Sequence, residues 1–182
     1  IPREHQTLVA VPAMIGSNGD IDRLVKQLEV HYLSNPQPGL FFALLSDYGD
    51  AGGETRPEDE DLLAYALRSV EALNARYPIL NGADDESEPV RRFFLLHRRR
   101  LWNPGQSRWM GWERKRGKLN ELNRFLRGST DTTFLPACVG QEVARILRPT
   151  RYVITLDADT ILPPGAARRL VGTLAHPLNR AM

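Results

Sequence analysis

Four apolar runs, separated by stretches of helical periodicity, set the main limit on what this 182-residue chain can fold into. They are Thr7 to Met14 (T-L-V-A-V-P-A-M), Leu40 to Ser46 (L-F-F-A-L-L-S), Phe93 to His97 (F-F-L-L-H) and Tyr152 to Leu156 (Y-V-I-T-L). Such runs lack the alternation of a strand with one wet face and suit strands buried on both faces. Ile21, Leu24, Val25, Leu28 and Tyr32 recur with helical spacing after the first run. Leu62, Leu63, Ala66, Leu67, Val70, Leu73 and Tyr77 do so after the second. Leu119, Leu122, Phe125 and Leu126 give the stripe of a helix ending at Gly128, and Ala167, Leu170, Val171 and Leu174 that of a last helix. Strands alternating with helices predict an α/β fold: a parallel or mixed sheet with helices on both faces and right-handed crossovers. The length fits one domain.

The connections carry their own signals. Asp20 is expected to cap the first helix, and Asn35 with Pro36 to stop it. The acids from Glu58 to Asp61 stand where they complement a helix dipole and meet solvent. Residues 81–89 read as a polar, exposed loop. The dozen residues from Leu101 to Trp112 hold all three tryptophans, Trp102, Trp109 and Trp112, around turn residues, which suits a hairpin or folded loop. Those rings, with arginines nearby, either stack a sugar or a base or pack as core. Val139 to Leu147 reads as a short helix with no assigned role. Pro163 and Pro164 open the last helix, and His176 with Pro177 ends it.

Polar groups collect where the apolar runs end. The second run passes into Asp47, Tyr48, Gly49 and Asp50, the third into Arg98, Arg99 and Arg100, and the fourth into Asp157 and Asp159. In a parallel sheet these ends share one edge, where open α/β sheets bind ligands. Two hard oxygen ligands suit Mg2+ or Mn2+, above all when a phosphate supplies further oxygens. The same two aspartates also fit a turn former and a helix cap. Asp47 either accepts hydrogen bonds from a bound base or sugar or shapes a turn. Gly117 and Lys118, near a helix start, suit phosphate oxygens. The chain has no G-x-x-x-x-G-K-[ST], so it holds no P-loop, and no G-x-G-x-x-G, which argues against a dinucleotide fingerprint.

A net charge of +2 hides an uneven distribution. Residues 1–90 carry 6 Lys or Arg against 16 Asp or Glu, whereas residues 91–127 carry 12 against 2. That basic block fits either an anionic partner or a solvated face balancing an acidic neighbour. A single cysteine, Cys138, excludes an internal disulfide and reads as a small buried residue. The four histidines lie too far apart for zinc-ligand spacing. No run reaches the roughly 18 apolar residues of a membrane span, and the start has no signal-peptide pattern. A soluble globular domain is expected, cut from a longer chain because it starts at Ile1 and stops just after a helix-like segment.

Taken in order, V-A-V-P, S-D-Y-G-D, G-K-L-N-E-L-N and L-D-A-D-T resemble the donor half of processive and related glycosyltransferases of the A-type fold. Longer strings are similar to the glycosyltransferase domain of bacterial cyclic β-1,2-glucan synthases: H-Y-L-S-N, L-L-S-D, L-H-R-R-R-L-W-N-P, R-W-M-G-W-E-R-K-R-G-K-L and Y-V-I-T-L-D-A-D-T-I-L-P-P-G-A-A-R-R-L. This resemblance covers nearly the whole chain. It implies a single Rossmann-like, nucleotide-sugar-binding domain over residues 1–182, a mostly parallel sheet flanked by helices, belonging to a larger membrane synthase at the cytoplasmic face of the bacterial inner membrane. The implied donor is UDP-glucose and the implied acceptor a growing glucan, with no nucleic acid.

By the same resemblance Asp159 would bind Mg2+ or Mn2+ at the donor diphosphate, and Asp157 would help hold the ribose or the metal shell. Asp47 would meet the uracil or its ribose. Lys118 and Asn123 would face the nucleotide, and nearby arginines would add charge. Inverting transfer needs a general base. In this family the base and acceptor motifs follow the segment matching Met182, so the chain is expected to bind donor without completing transfer and to hold no catalytic residue. Two other readings stay open. A nucleotidyltransferase shares strand-end acids and a metal-bound nucleotide; a nucleic-acid module on residues 91–127 would bind with steep salt dependence but leaves Asp157 and Asp159 unexplained.

Overall fold

Each apolar run becomes a strand in the computed structural model, which describes residues 1–79 and 91–179. The loop expected over 81–89 lies outside the described residues. In chain order the elements are β1 (Thr7–Ile15), α1 (Asn18–Ser34), β2 (Leu40–Tyr48), α2 (Asp59–Arg76), β3 (Phe93–Arg98), β4 (Leu101–Asn103), β5 (Arg108–Met110), α3 (Arg114–Leu126), α4 (Gln141–Leu147), β6 (Tyr152–Thr155) and α5 (Ala166–Ala175). Strands β3, β2, β1 and β6 form, in that order, an all-parallel sheet, while β4 and β5 pair as an antiparallel hairpin. The architecture is Rossmann-like α/β.

Alternation along β1, β2 and β3 supplies two cores. Val9, Val11, Phe42, Leu44, Phe93 and Leu95 face α1, α2 and α5, where Leu24, Leu28, Val70 and Val171 cover them. Leu8, Ala10, Ala43, Leu45, Phe94 and Leu96 point the other way and meet Leu122 and Phe125 of α3 with Ile146 and Leu147 of α4. Both faces being covered is why these strands read as continuous apolar runs. Full burial of each large side chain contributes about 1.5–3 kcal/mol.

The fourth run departs from that pattern. β6 pairs with β1 alone among the described residues, and its side chains alternate between half-buried and exposed, with Val153 open to solvent. It is an edge strand and not one buried on both faces. Position in the strand order decides this, and the apolar run itself carries no record of its neighbours.

Three helix starts also differ from expectation. Ser17, not Asp20, caps α1: its hydroxyl accepts from the Asp20 N–H and donates to the Asp20 carboxylate at 2.9 Å. This is a reciprocal Ser-x-x-acid arrangement like a capping box. Asp59 is not a solvated dipole partner, because it is buried and accepts two hydrogen bonds from Arg100. Pro163 and Pro164 form the turn leading into α5, which begins only after Gly165 at φ 70°.

Candidate functional site

A sheet ordered β3-β2-β1-β6 reverses its direction of growth at β1, so the crevice beyond the carboxyl ends of β1 and β6 is its topological switch point. The strand-end residues gather around it. Asp47 and Arg98 are direct partners on neighbouring strands, and both project to the α3 face. Arg98 is fully buried and donates to both Asp47 oxygens, at 2.8 and 3.0 Å. Its remaining nitrogen, Nη1, donates to Glu121 of α3 at 3.0 Å, and Nη2, already on Asp47, also donates to the Arg114 carbonyl at 3.1 Å. Glu121 accepts in turn from Thr133 N–H at 2.6 Å.

Lys118 completes this buried cluster. Its ammonium donates to the Ala13 carbonyl at the end of β1 and lies 3.2 Å from Asp47. Burial pulls its pKa below the usual lysine range, against the opposing pull of the Asp47 charge. Two glycines allow the approach. A Cβ on Gly111 would stand 2.3 Å from the Asp47 carboxylate, and one on Gly117 would stand 1.9 Å from the Trp112 carbonyl. No larger residue fits at either position.

Above the cluster lies a cleft of about 210 Å³ lined by Met14, Asp47, Asp50, Arg114, Lys115 and Lys118, among others. Arg114 crosses it to Asp50 at 2.7 Å. Lys115 reaches out of it to pair with Asp157, which ties the cleft to the end of β6. Asp157 and Asp159 sit in the turn closed by the Thr160 N–H and the Asp157 carbonyl at 2.9 Å. Both are exposed, and among the described residues Asp159 makes no side-chain hydrogen bond or ion pair.

Two exposed hard carboxylates have the right chemistry for Mg2+ or Mn2+. No group of three or more His, Cys, Asp or Glu converges among the described residues, so protein atoms do not cage an ion there. Magnesium is commonly held by one or two carboxylates, with phosphate and water completing its shell.

Of the residues singled out in the sequence, Asp47 and Lys118 meet in the cleft wall, and Asp157 and Asp159 stand beside it. Asn123 does not join them. Five residues beyond Lys118 it lies roughly 140° further round the helix, exposed to solvent and outside the cleft. Lys115 is not singled out in the sequence, and Arg98 stands there only as a strand-end residue, with no role of its own. The signal for Arg98 was its position at the end of β3, one strand over from Asp47.

On the other sheet face the Ser46 hydroxyl and His97 Nδ1 are 2.7 Å apart, beside the Tyr48 ring. Burial pushes the His97 pKa down to about 4 and the Tyr48 hydroxyl up to about 12. Cys138 is buried beneath them, its thiol raised to about 11 by desolvation. Part of the basic block is turned inward, where Arg98, Arg100 and Lys118 pair with Asp47 and Asp59 of the acidic half, while the exposed Arg114 meets Asp50.

Over 180 residues, 99% of this chain, the sequence is 49% identical to the cyclic beta-(1,2)-glucan synthase NdvB of Rhizobium meliloti (strain 1021). This chain is homologous to a segment of a cyclic beta-(1,2)-glucan synthase. It spans 6% of that synthase's length. No family model matches it. Among the described residues no helix is long and apolar enough to cross a membrane.

Proposed function

We propose that this chain is the donor-binding segment of a glucosyltransferase that uses UDP-glucose to build a β-1,2-glucan. One observation carries the reading. At the switch point of the sheet, a cleft lined with lysine and arginine adjoins two exposed aspartates, the pair of surfaces that a diphosphate and a divalent cation require together. The glucan product follows from the name of the related synthase.

In this reading Lys115, Lys118 and Arg114 face the diphosphate. Their N–H groups stabilise the negative charge that develops on it as the bond to glucose breaks. Asp47 orients Lys118 and Arg98, and because a carboxylate offers about four lone-pair sites it can also accept from the uracil or ribose. Asp157 and Asp159 would hold Mg2+ or Mn2+, which supplies further positive charge beside the leaving diphosphate when bound. Lys115 gives up Asp157 in exchange, a small loss because both side chains are more than half exposed. Asn123 has no place in this arrangement. Transfer in the complete synthase is inverting and takes its base from outside this segment.

Calorimetry of the chain with UDP and UDP-glucose, with and without manganese, tests the proposal. Metal-dependent binding is expected, and Asp159→Asn should abolish it while circular dichroism stays unchanged. Equal binding without metal would overturn the metal role, and preference for a nucleoside triphosphate would favour nucleotidyl transfer. Purified chain supplied with UDP-glucose should make no glucan; product formation would show that a base is present after all.

A further inference from the structure

A second and larger groove, of about 560 Å³, opens between the β4–β5 hairpin and the start of α3. Trp102 and Trp112 line it at 49% and 40% exposure, with Asn103, Gln106, Glu113 and Arg116 around them. Large rings left this open to water are a departure from their usual burial.

The groove is a fixed shape. Trp109 exchanges two backbone hydrogen bonds with Ala51, each 2.9 Å, which docks the hairpin on the loop after β2. Asn103 accepts from the Gln106 N–H at 3.2 Å and so braces the hairpin turn. Trp112 is held where the absent side chain of Gly117 lets α3 pack against its carbonyl. The next two residues, Glu113 and Arg114, adopt left-handed φ values of 44° and 48°. Residues with a Cβ take that conformation at a cost, and such strain gathers at ligand-holding sites.

Its chemistry selects a neutral ligand. Arg116 is matched by Glu113 through two hydrogen bonds of 2.6 and 2.5 Å, so their charges cancel. Among the described residues the Gln106 side-chain amide has no hydrogen-bond partner. Flat indole faces match the C–H-rich face of a pyranose ring, and an amide with a paired carboxylate and guanidinium at the margin matches its hydroxyls. Arg114, the other cation of the groove, pairs with Asp50 at 2.7 Å, so a phosphate or a nucleic-acid backbone would find each of the two guanidinium groups already matched by a carboxylate.

We propose that this groove binds the glucan chain, with Trp102 and Trp112 as the surfaces on which its glucose rings rest. Arg114 lines both this groove and the donor cleft, so a glucan seated here lies across a single side chain from the donor. The choice of occupant rests on the reading of that cleft as a UDP-glucose site.

The test follows the three indole N–H signals of 15N-labelled chain by NMR, with Trp109 as internal reference. A short linear β-1,2-linked glucooligosaccharide should shift the signals of Trp102 and Trp112 and leave that of Trp109 in place. Trp102→Ala and Trp112→Ala should each weaken saccharide binding about tenfold, while UDP with magnesium binds as before. Should either alanine variant lose its dispersed spectrum, Trp102→Phe is expected to retain saccharide binding and Gln106→Ala to weaken it. Silent Trp102 and Trp112 signals, shifts caused by UDP instead, or full binding by both alanine variants would overturn the proposal. Saccharide binding without UDP binding would sink the donor reading alone; UDP binding without saccharide binding would sink the groove alone.

Discussion

Asp47 and Asp157 both stand at the carboxyl ends of parallel strands in one sheet, yet their circumstances are opposite. Asp47 belongs to a strand with partners on both sides; it is buried and held by Arg98 and Lys118. Asp157 follows the edge strand, is exposed, and pairs through its carboxylate with the long, half-exposed side chain of Lys115. A strand-end acid between two strands becomes part of the scaffold, because an uncompensated charge there would be far too costly. At the sheet edge solvent pays that debt, and the carboxylate stays free to exchange partners.

The sharpest way to break this contrast is Arg98→Met. It leaves Asp47 and Glu121 buried without their shared cation and should lower stability by about 3–5 kcal/mol, read as a lower urea midpoint at unchanged slope. A loss below about 1 kcal/mol, the range of exposed pairs, would mean that water already reaches the cluster.

The next effect comes from His97, on the opposite face of the same buried strand ends. Its folded pKa of about 4 lies below the ordinary value of 6.5, so the unfolded chain binds the proton first. The resulting stability is complete above pH 6.5 and is lost as pH falls toward 4, by up to about 3 kcal/mol. His31, also lowered by burial, acts in the same direction. His97→Gln should flatten most of the slope in urea titrations across that window, and an unchanged slope would assign it to other groups. The smallest effect belongs to the edge: Asp157→Asn and Asp159→Asn should each alter stability by less than about 0.5 kcal/mol. A larger change in thermal melting would make that turn a structural element like the Asp47 cluster.

The sequence displayed the strands of this sheet because both faces of β1, β2 and β3 are covered, and it displayed the helices through their apolar stripes. It also showed the candidate acids and Lys118, since parallel strands bring their ends to one edge. What it withheld is relational. Y-V-I-T-L reads like L-F-F-A-L-L-S, but one lies at the rim and the other at the centre. Asp47 and Arg98 are 51 positions apart in sequence, and only the β2–β3 register makes them neighbours. Asn123 was placed by its motif, although helix periodicity alone turns it away from Lys118. The cap at Ser17 was readable from its spacing to Asp20.

The one-sided pairing of β6 also sets a timetable for hydrogen exchange. Backbone amides shielded between strands open only with the whole domain, whereas those near a rim open in smaller, more frequent events. Amides of β1 and β2 should therefore keep their protons longest, and those around Thr155 to Thr160 should trade with solvent early. The buried floor of the cleft at Asp47 should thus be long-lived, while the turn that carries Asp157 and Asp159 beside it opens often.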